Sequence, residues 1–198
     1  MSHPQDRHPR PGRSALAAGT DATAAGARGR VAIRAPAASD QAEFIAQMRA
    51  SEHLHRPWIF PPTTPAAFDD YLRRMATLDH CGFLVCEREG GRIAGVININ
   101  TIVRGAFLSA TLGYYAVASL GGRGYMREGL RLVTEYAFGE LHLHRLEANI
   151  QPANERSKAL VRALGFRLEG LSPEYLYIDG AWRDHERWTL IDDRKGLY

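Results

Sequence analysis

The chain has 198 residues, of which 45% are apolar and 24% charged, enough for one domain with a real core. No run approaches the ~20 apolar residues that would cross a bilayer as a helix, and two cysteines, Cys81 and Cys86, cannot build a disulfide framework. The net charge of +3 arises in residues 1–30, where Arg7, Arg10, Arg13, Arg28 and Arg30 outnumber Asp6 and Asp21. Taking those five from 25 basic residues and those two from 22 acidic ones leaves 20 of each, so the remainder is neutral. A pI near 9.0 is therefore weak support for a nucleic-acid-binding surface.

Residues 1–30 are rich in Ala, Gly, Arg and Pro. They cannot bury enough apolar surface to offset the entropy of ordering, and they read as a disordered basic tail. Their Arg and Ser content also resembles a transit peptide, against which stand the helix-breaking Pro4, Pro9 and Pro11. VAIRAP (31–36) alternates as a first strand. Ser39-Asp40 can cap a helix to about Met48. Residues 55–65 are a proline-broken loop, and Thr64 or Pro65 opens a second helix through Leu78. Two strands, CGFLVCER and GRIAGVININTI, meet at the hairpin signal Glu89-Gly90-Gly91. Cys86, inside that first strand, reads as a buried structural thiol, and free thiols fit a reducing cytoplasm.

Ala110–Val117 is the next strand, 123–139 a helix with one apolar face, 144–151 a strand, and 154–164 a short helix. The chain ends in two strands turning at Asp179-Gly180. The turn Gly121-Gly122-Arg123-Gly124 thus joins a strand to a helix. Amides at such a helix start form an anion nest assisted by the helix dipole, although glycine most often serves only a tight turn. The spacing fits neither a dinucleotide fingerprint nor a Walker loop. Asn154 starts the next helix as an N-cap, with Ser157 in its first turn. His53 and His55 lack a third ligand at a known spacing, so no metal is expected. His142 and His144, flanking a strand start, read as surface or packing residues.

These segments resemble the Gcn5-related N-acetyltransferases (GNAT). Gly121-Gly122-Arg123-Gly124-Tyr125-Met126 is similar to the family's pyrophosphate loop, with Gly124 as the central glycine, Gly121 in place of a Gln or Arg, and Met126 in place of a small residue. Met at that position is familiar in the RimJ/RimL subgroup, which acetylates ribosomal-protein N-termini. The RimJ branch is resembled further at Glu52-His53-Leu54-His55 with Pro57-Trp58, Val103-Arg104-Gly105 with Phe107, Leu112-Gly113-Tyr114, His144-Arg145, Asn154 with Arg156-Ser157, Leu164-Gly165-Phe166, and 178–185.

The resemblance implies an α/β (α+β) fold over 31–191: a mixed sheet of six or seven strands, splayed parallel central strands and about four flanking helices. Residues 192–198 would be a C-terminal tail. It implies acetyl-CoA as co-substrate, held by Tyr115, Ala116, Val117, the loop from Gly121 to Met126, Asn154 and Ser157. Ser157 would protonate the leaving thiolate. The subgroup's glutamate base falls on Leu176, so Glu174, on the same strand face, takes that role, with Glu147 or water as alternatives. Glu52, His53, His55 and Trp58 would line the acceptor side. The expected enzyme is a cytoplasmic monomer or homodimer, needing no metal, membrane or nucleic acid, that acetylates a protein N-terminal alanine. Acetylation of an antibiotic or polyamine, and a non-catalytic acyl-CoA-binding module, remain open at this stage.

Overall fold

A computed structural model describes residues 29–193. Of the tails expected at 1–30 and 192–198, residues 1–28 and 194–198 lie outside the described residues, while Arg30 O accepts from the Arg88 amide and the Asp192 amide bonds His144 O at 2.9 Å, so the ordered chain reaches into both. Seven strands form one sheet: β1 Val31–Arg34, β2 Cys81–Glu87, β3 Ile93–Val103, β4 Ser109–Ala116, β5 Arg145–Ile150, β6 Arg167–Ile178 and β7 Ala181–Ile191, in the order β1-β2-β3-β4-β5-β7-β6. Among the described residues there are five α-helices: α1 Gln41–Ala50, α2 Glu52–His55, α3 Pro65–Met75, α4 Tyr125–Gly139 and α5 Glu155–Arg162. The additional helix is α2, which lies between the first expected helix and the proline-broken loop. It is a single turn, held from outside by contacts to β4.

The strand and helix signals mostly act where expected, but Asp40 makes no side-chain cap bond to α1 and instead accepts from the Ala37 amide at 2.7 Å and from Arg34. Thr64 caps α3 by accepting from the Ala67 amide at 3.3 Å, with Pro65 at the first helical position. The domain's first strand is secured from before its start: the Arg88 amide bonds Arg30 O at 2.8 Å, and the Arg88 guanidinium bonds Gly29 O at 2.8 Å.

Period-two alternation sends successive side chains to opposite faces of the sheet. One face carries Val85, Ile97, Ile99, Leu112, Leu146, Ala148 and Ile150 under α4 and α5. The other carries Leu84, Val96 and Tyr115 under α1 and α3, where Phe44, Met48, Phe68 and Tyr71 are fully or nearly fully buried. Two apolar layers thus leave the sheet's central strands enclosed on both sides.

The feature that positions the site is a parting of strands. The parallel pairing of β4 with β5 runs from Ser109–Arg145 to Leu112–Ala148 and stops there. Both strands continue, β4 to Ala116 and β5 to Ile150. Among the described residues the β5-facing edge of Gly113–Ala116 therefore has no strand partner, and an unpaired strand edge is a template for an added strand.

Candidate active site

The parted strands open a cleft of about 1120 Å³. Its walls include Gly113–Ala116 of β4, Ala148–Ile150 of β5 with the following Gln151, the turn before α4, and the start of α5. At the turn, Gly122 and Gly124 have φ of +73° and +82°, left-handed values that favour glycine. A Cβ on Gly122 would meet nothing within 4 Å. The turn thus presents bare backbone to the cleft at the N-terminus of the 15-residue helix α4, where the helix dipole favours an anion.

At the opposite helix start, Asn154 Oδ1 accepts from the Ser157 amide at 3.1 Å, a normal N-cap. This leaves Ser157 Oγ free to meet Tyr114 OH across the cleft at 2.5 Å. Burial pushes the Tyr114 phenol up to about 12, with the Ser157 bond pulling the other way. A neutral, hydrogen-bonded hydroxyl pair spanning the parted strands can hand a proton to an anion formed between them.

The end of β4 is fastened from the other side by α2. Ser51 Oγ accepts from the Ala118 amide at 2.9 Å, and His55 Nε2 donates to Ala116 O at 2.8 Å. Because a carbonyl oxygen only accepts, this bond sets the His55 tautomer. Burial holds its pKa below 6.5.

A second pocket, of about 400 Å³, adjoins the cleft at Ile59, Gly113 and Tyr115. Its polar lining is Arg74, His80, Asn98 and Asn100, and its remaining lining residues are uncharged. Asn98 is buried and accepts from Tyr71 OH at 2.9 Å. The Arg74 guanidinium lies 6.0 Å from the Tyr71 ring centroid. No carboxylate is paired with it among the described residues.

Of the residues expected from sequence, Tyr115, Ala116, Gly121, Gly122, Gly124, Tyr125, Met126, Asn154, Ser157, His53, His55 and Trp58 line the cleft. Five do not. Val117 is a core residue at 1% exposure, and Arg123 instead offers its carbonyl to Arg30 at 3.0 Å. Glu52 is exposed and pairs with Arg56 at 2.6 Å. Glu147 is tied to Arg145 at 2.7 Å and to Arg187 at 3.7 Å. Glu174 is exposed in a bulge: β6 and β7 pair at Ser172–His185 and next at Leu176–Arg183, so three residues oppose one. The bulge breaks the alternation that would have put Glu174 on the face of Leu176, and the Glu174 amide bonds Asp184 at 2.8 Å.

Sequence reasoning missed Tyr114, Arg127, Asn149, Gln151 and His185, all in the cleft wall, and the polar lining of the second pocket. A signal existed for some: Asn98 and Asn100 alternate with isoleucines in β3, as Asn149 and Gln151 do with Ala148 and Ile150. Polar residues repeating every second position in a central strand mark one polar sheet face.

Three comparisons bear on this site. The acetyltransferase (GNAT) domain profile matches residues 30–167. A probable N-acetyltransferase, YjcK of Bacillus subtilis, is 35% identical over 123 residues, covering 62% of this chain and 68% of that protein. The [ribosomal protein uS5]-alanine N-acetyltransferase of Escherichia coli is 44% identical over 93 residues, covering 47% of this chain. That match spans about half of the relative's own length, 48%. The structure of Mycobacterium smegmatis RimJ in complex with CoA-disulfide superposes with a TM-score of 0.74 at 29% identity, covering 81% of each chain.

Proposed function

This chain belongs to the acetyltransferase (GNAT) domain family and is an acyl-transferring enzyme, and on that premise we propose that it acetylates the N-terminal alanine of a protein, in first place a ribosomal protein, using acetyl-CoA in the cytoplasm. The observation that carries the choice of acceptor is the second pocket. It has an arginine and two asparagines and no carboxylate in its lining. The one carboxylate lining the larger cleft, Glu155, is 2.7 Å from Lys158. A polyamine brings several positive charges and would find no free counter-charge here. A peptide brings one ammonium, backbone carbonyls for the Asn98 and Asn100 amides, and acidic side chains or carbonyls for Arg74.

The residues present fit acetyl-CoA. The partnerless edge of β4 can receive an amide-bearing arm by strand addition. The backbone of Gly121, Gly122 and Gly124 suits a pyrophosphate. Two cleft-wall atoms, Asn149 Oδ1 and Gln151 Nε2, are buried with no hydrogen-bond partner among the described residues, and such groups cost free energy until they are met. When bound, acetyl-CoA supplies an acetyl group activated as a thioester. Ser157 then stands to donate its hydroxyl proton to the departing sulfur, and Tyr114 at 2.5 Å to replenish it.

The reading is tested by offering the full chain labelled acetyl-CoA with peptides beginning in alanine, with and without an acidic residue in the next few positions, and with spermidine. Label should accumulate on the alanine peptides, faster on the acidic ones. Preferential labelling of spermidine would overturn the acceptor class, and label on no amine would overturn the activity.

A further inference from the structure

Direct attack on a thioester needs an uncharged amine, so some group must take a proton from the acceptor ammonium. The carboxylates in and around the cleft do not serve: Glu155, in its lining, is 2.7 Å from Lys158. Glu174 lies outside the cleft in its bulge, and both Glu147 oxygens face arginines. His55 does not serve either. Its Nε2 is bound to Ala116 O, and its Nδ1 is sealed from solvent without a partner.

His185 is different. It lies on β7 one residue before the Ile150–Glu186 pair, on the face shared by Arg187 and its partner Asn149. It lines the cleft. Its Nδ1 is 2.8 Å from Arg183 O, and the carbonyl can only accept, so Nδ1 carries the hydrogen. In the neutral ring Nε2 is then a bare lone pair. Among the described residues no hydrogen bond occupies Nε2, and it is not among the sealed atoms. The Tyr175 ring, 6.0 Å away at 61°, holds the imidazole from β6. Arg183, Asp184, Glu186 and Arg187 are the charged neighbours on its own strand, with Glu186 held by Lys158 at 3.5 Å; Ser172 is its partner on β6, and Gln151 is the polar group beyond β5. Burial keeps the ring below its ordinary 6.5, so it is neutral at physiological pH.

We propose that His185 Nε2 is the proton acceptor for the attacking amine, directly or through one water. This rests on the acetyltransferase reading above. The acceptor nitrogen sheds two protons in all. The first passes to His185 Nε2 and on to solvent. The nitrogen then bonds to the acetyl carbon, the carbon–sulfur bond breaks, and the departing thiolate takes the Ser157 proton, which the second proton from nitrogen balances. No oxidant, metal or enzyme-bound acyl group is required.

The test compares wild type with His185→Asn and His185→Gln on two acceptors, an alanine peptide and hydroxylamine, which is largely unprotonated at neutral pH. Turnover of the peptide should fall roughly 100-fold, within the general-base range. Turnover of hydroxylamine should stay near wild type, as should acetyl-CoA affinity. Equal losses on both acceptors would make His185 structural and overturn the proposal, as would no loss on either. Should neither variant melt cooperatively, nitrogen NMR of the wild-type imidazoles decides. The proposal requires an Nδ1–H ring for His185 whose Nε2 signal moves when a peptide–CoA bisubstrate binds, and an unresponsive or protonated ring overturns it. A wild type that acetylates nothing would instead remove the acetyltransferase premise, a result distinct from active wild type with unimpaired variants.

Discussion

The two walls of the cleft are built in different ways. The wall around α4 and α5 comes from two short runs, 120–127 and 153–160, each a turn leading into a helix. The opposite wall, the one proposed here for the acceptor, is assembled from distant pieces: the 58–62 loop, Arg74 at the end of α3, His80, Asn98 and Asn100 on β3, and His185 on β7. Anion binding needs consecutive amides, which a contiguous run supplies. Acceptor recognition and proton removal need side chains converging on one point from several directions, which only tertiary packing supplies. The contiguous wall should therefore fail by local backbone change, and the assembled wall by loss of single side chains.

The largest effect is expected at Gly124. Its φ of +82° strains any side chain, at a cost of about 1–3 kcal/mol, and Gly124→Val would also distort the amides of the nest. Acetyl-CoA affinity, measured by calorimetry, should fall at least 10-fold. Unchanged affinity would detach this turn from the co-substrate and undo the contrast between the walls.

Next come the hydroxyls that bridge the cleft. Ser157→Ala should lower kcat roughly 10-fold to 1,000-fold, with little change in acetyl-CoA affinity. Tyr114→Phe removes the 2.5 Å partner of Ser157 and should give a smaller loss in the same direction. If the tyrosine variant proves the more damaged in steady-state kinetics, Tyr114 donates the proton and Ser157 orients it.

Arg74→Glu addresses the acceptor wall alone. It should raise KM for an acidic alanine peptide about 10-fold, the scale of a charge-assisted hydrogen bond of about 1.5 kcal/mol, and leave acetyl-CoA affinity intact. Measurable new turnover of spermidine would sharpen the role of charge in this pocket. Unaltered peptide kinetics would exclude Arg74 from acceptor binding.

The smallest effect is on stability. His55 and His185 both have pKa values held below 6.5 by burial, so the unfolded chain binds more protons than the folded one as pH falls through that value. Stability from both rings is present above pH 6.5 and is lost progressively on acidification towards their folded values. The melting temperature should drop below pH 6.5 by calorimetry, and His55→Gln should flatten part of that slope. An unchanged slope would mean that the fastening of α2 to Ala116 contributes nothing to the fold's acid sensitivity.

Much of the fold was legible in the residues. Alternating apolar positions, the Thr64-Pro65 and Asn154 helix starts, the Gly90-Gly91 and Asp179-Gly180 turns and the glycine run before α4 are all local signals, because capping, turn chemistry and side-chain periodicity act within a few residues. The structure decided what depends on register and contact across the chain. The parallel pairing stops at Leu112–Ala148, and that makes a cleft out of two ordinary strands. A bulge at 173–175 carries Glu174 away from it. The tautomers of His55 and His185 follow from which carbonyl each ring meets, Ala116 O or Arg183 O. Two residues of the same type thus differ in surroundings: the second nitrogen of His55 is sealed without a partner, whereas His185 lines the cleft, a distinction made by packing and carried by no local pattern of residues.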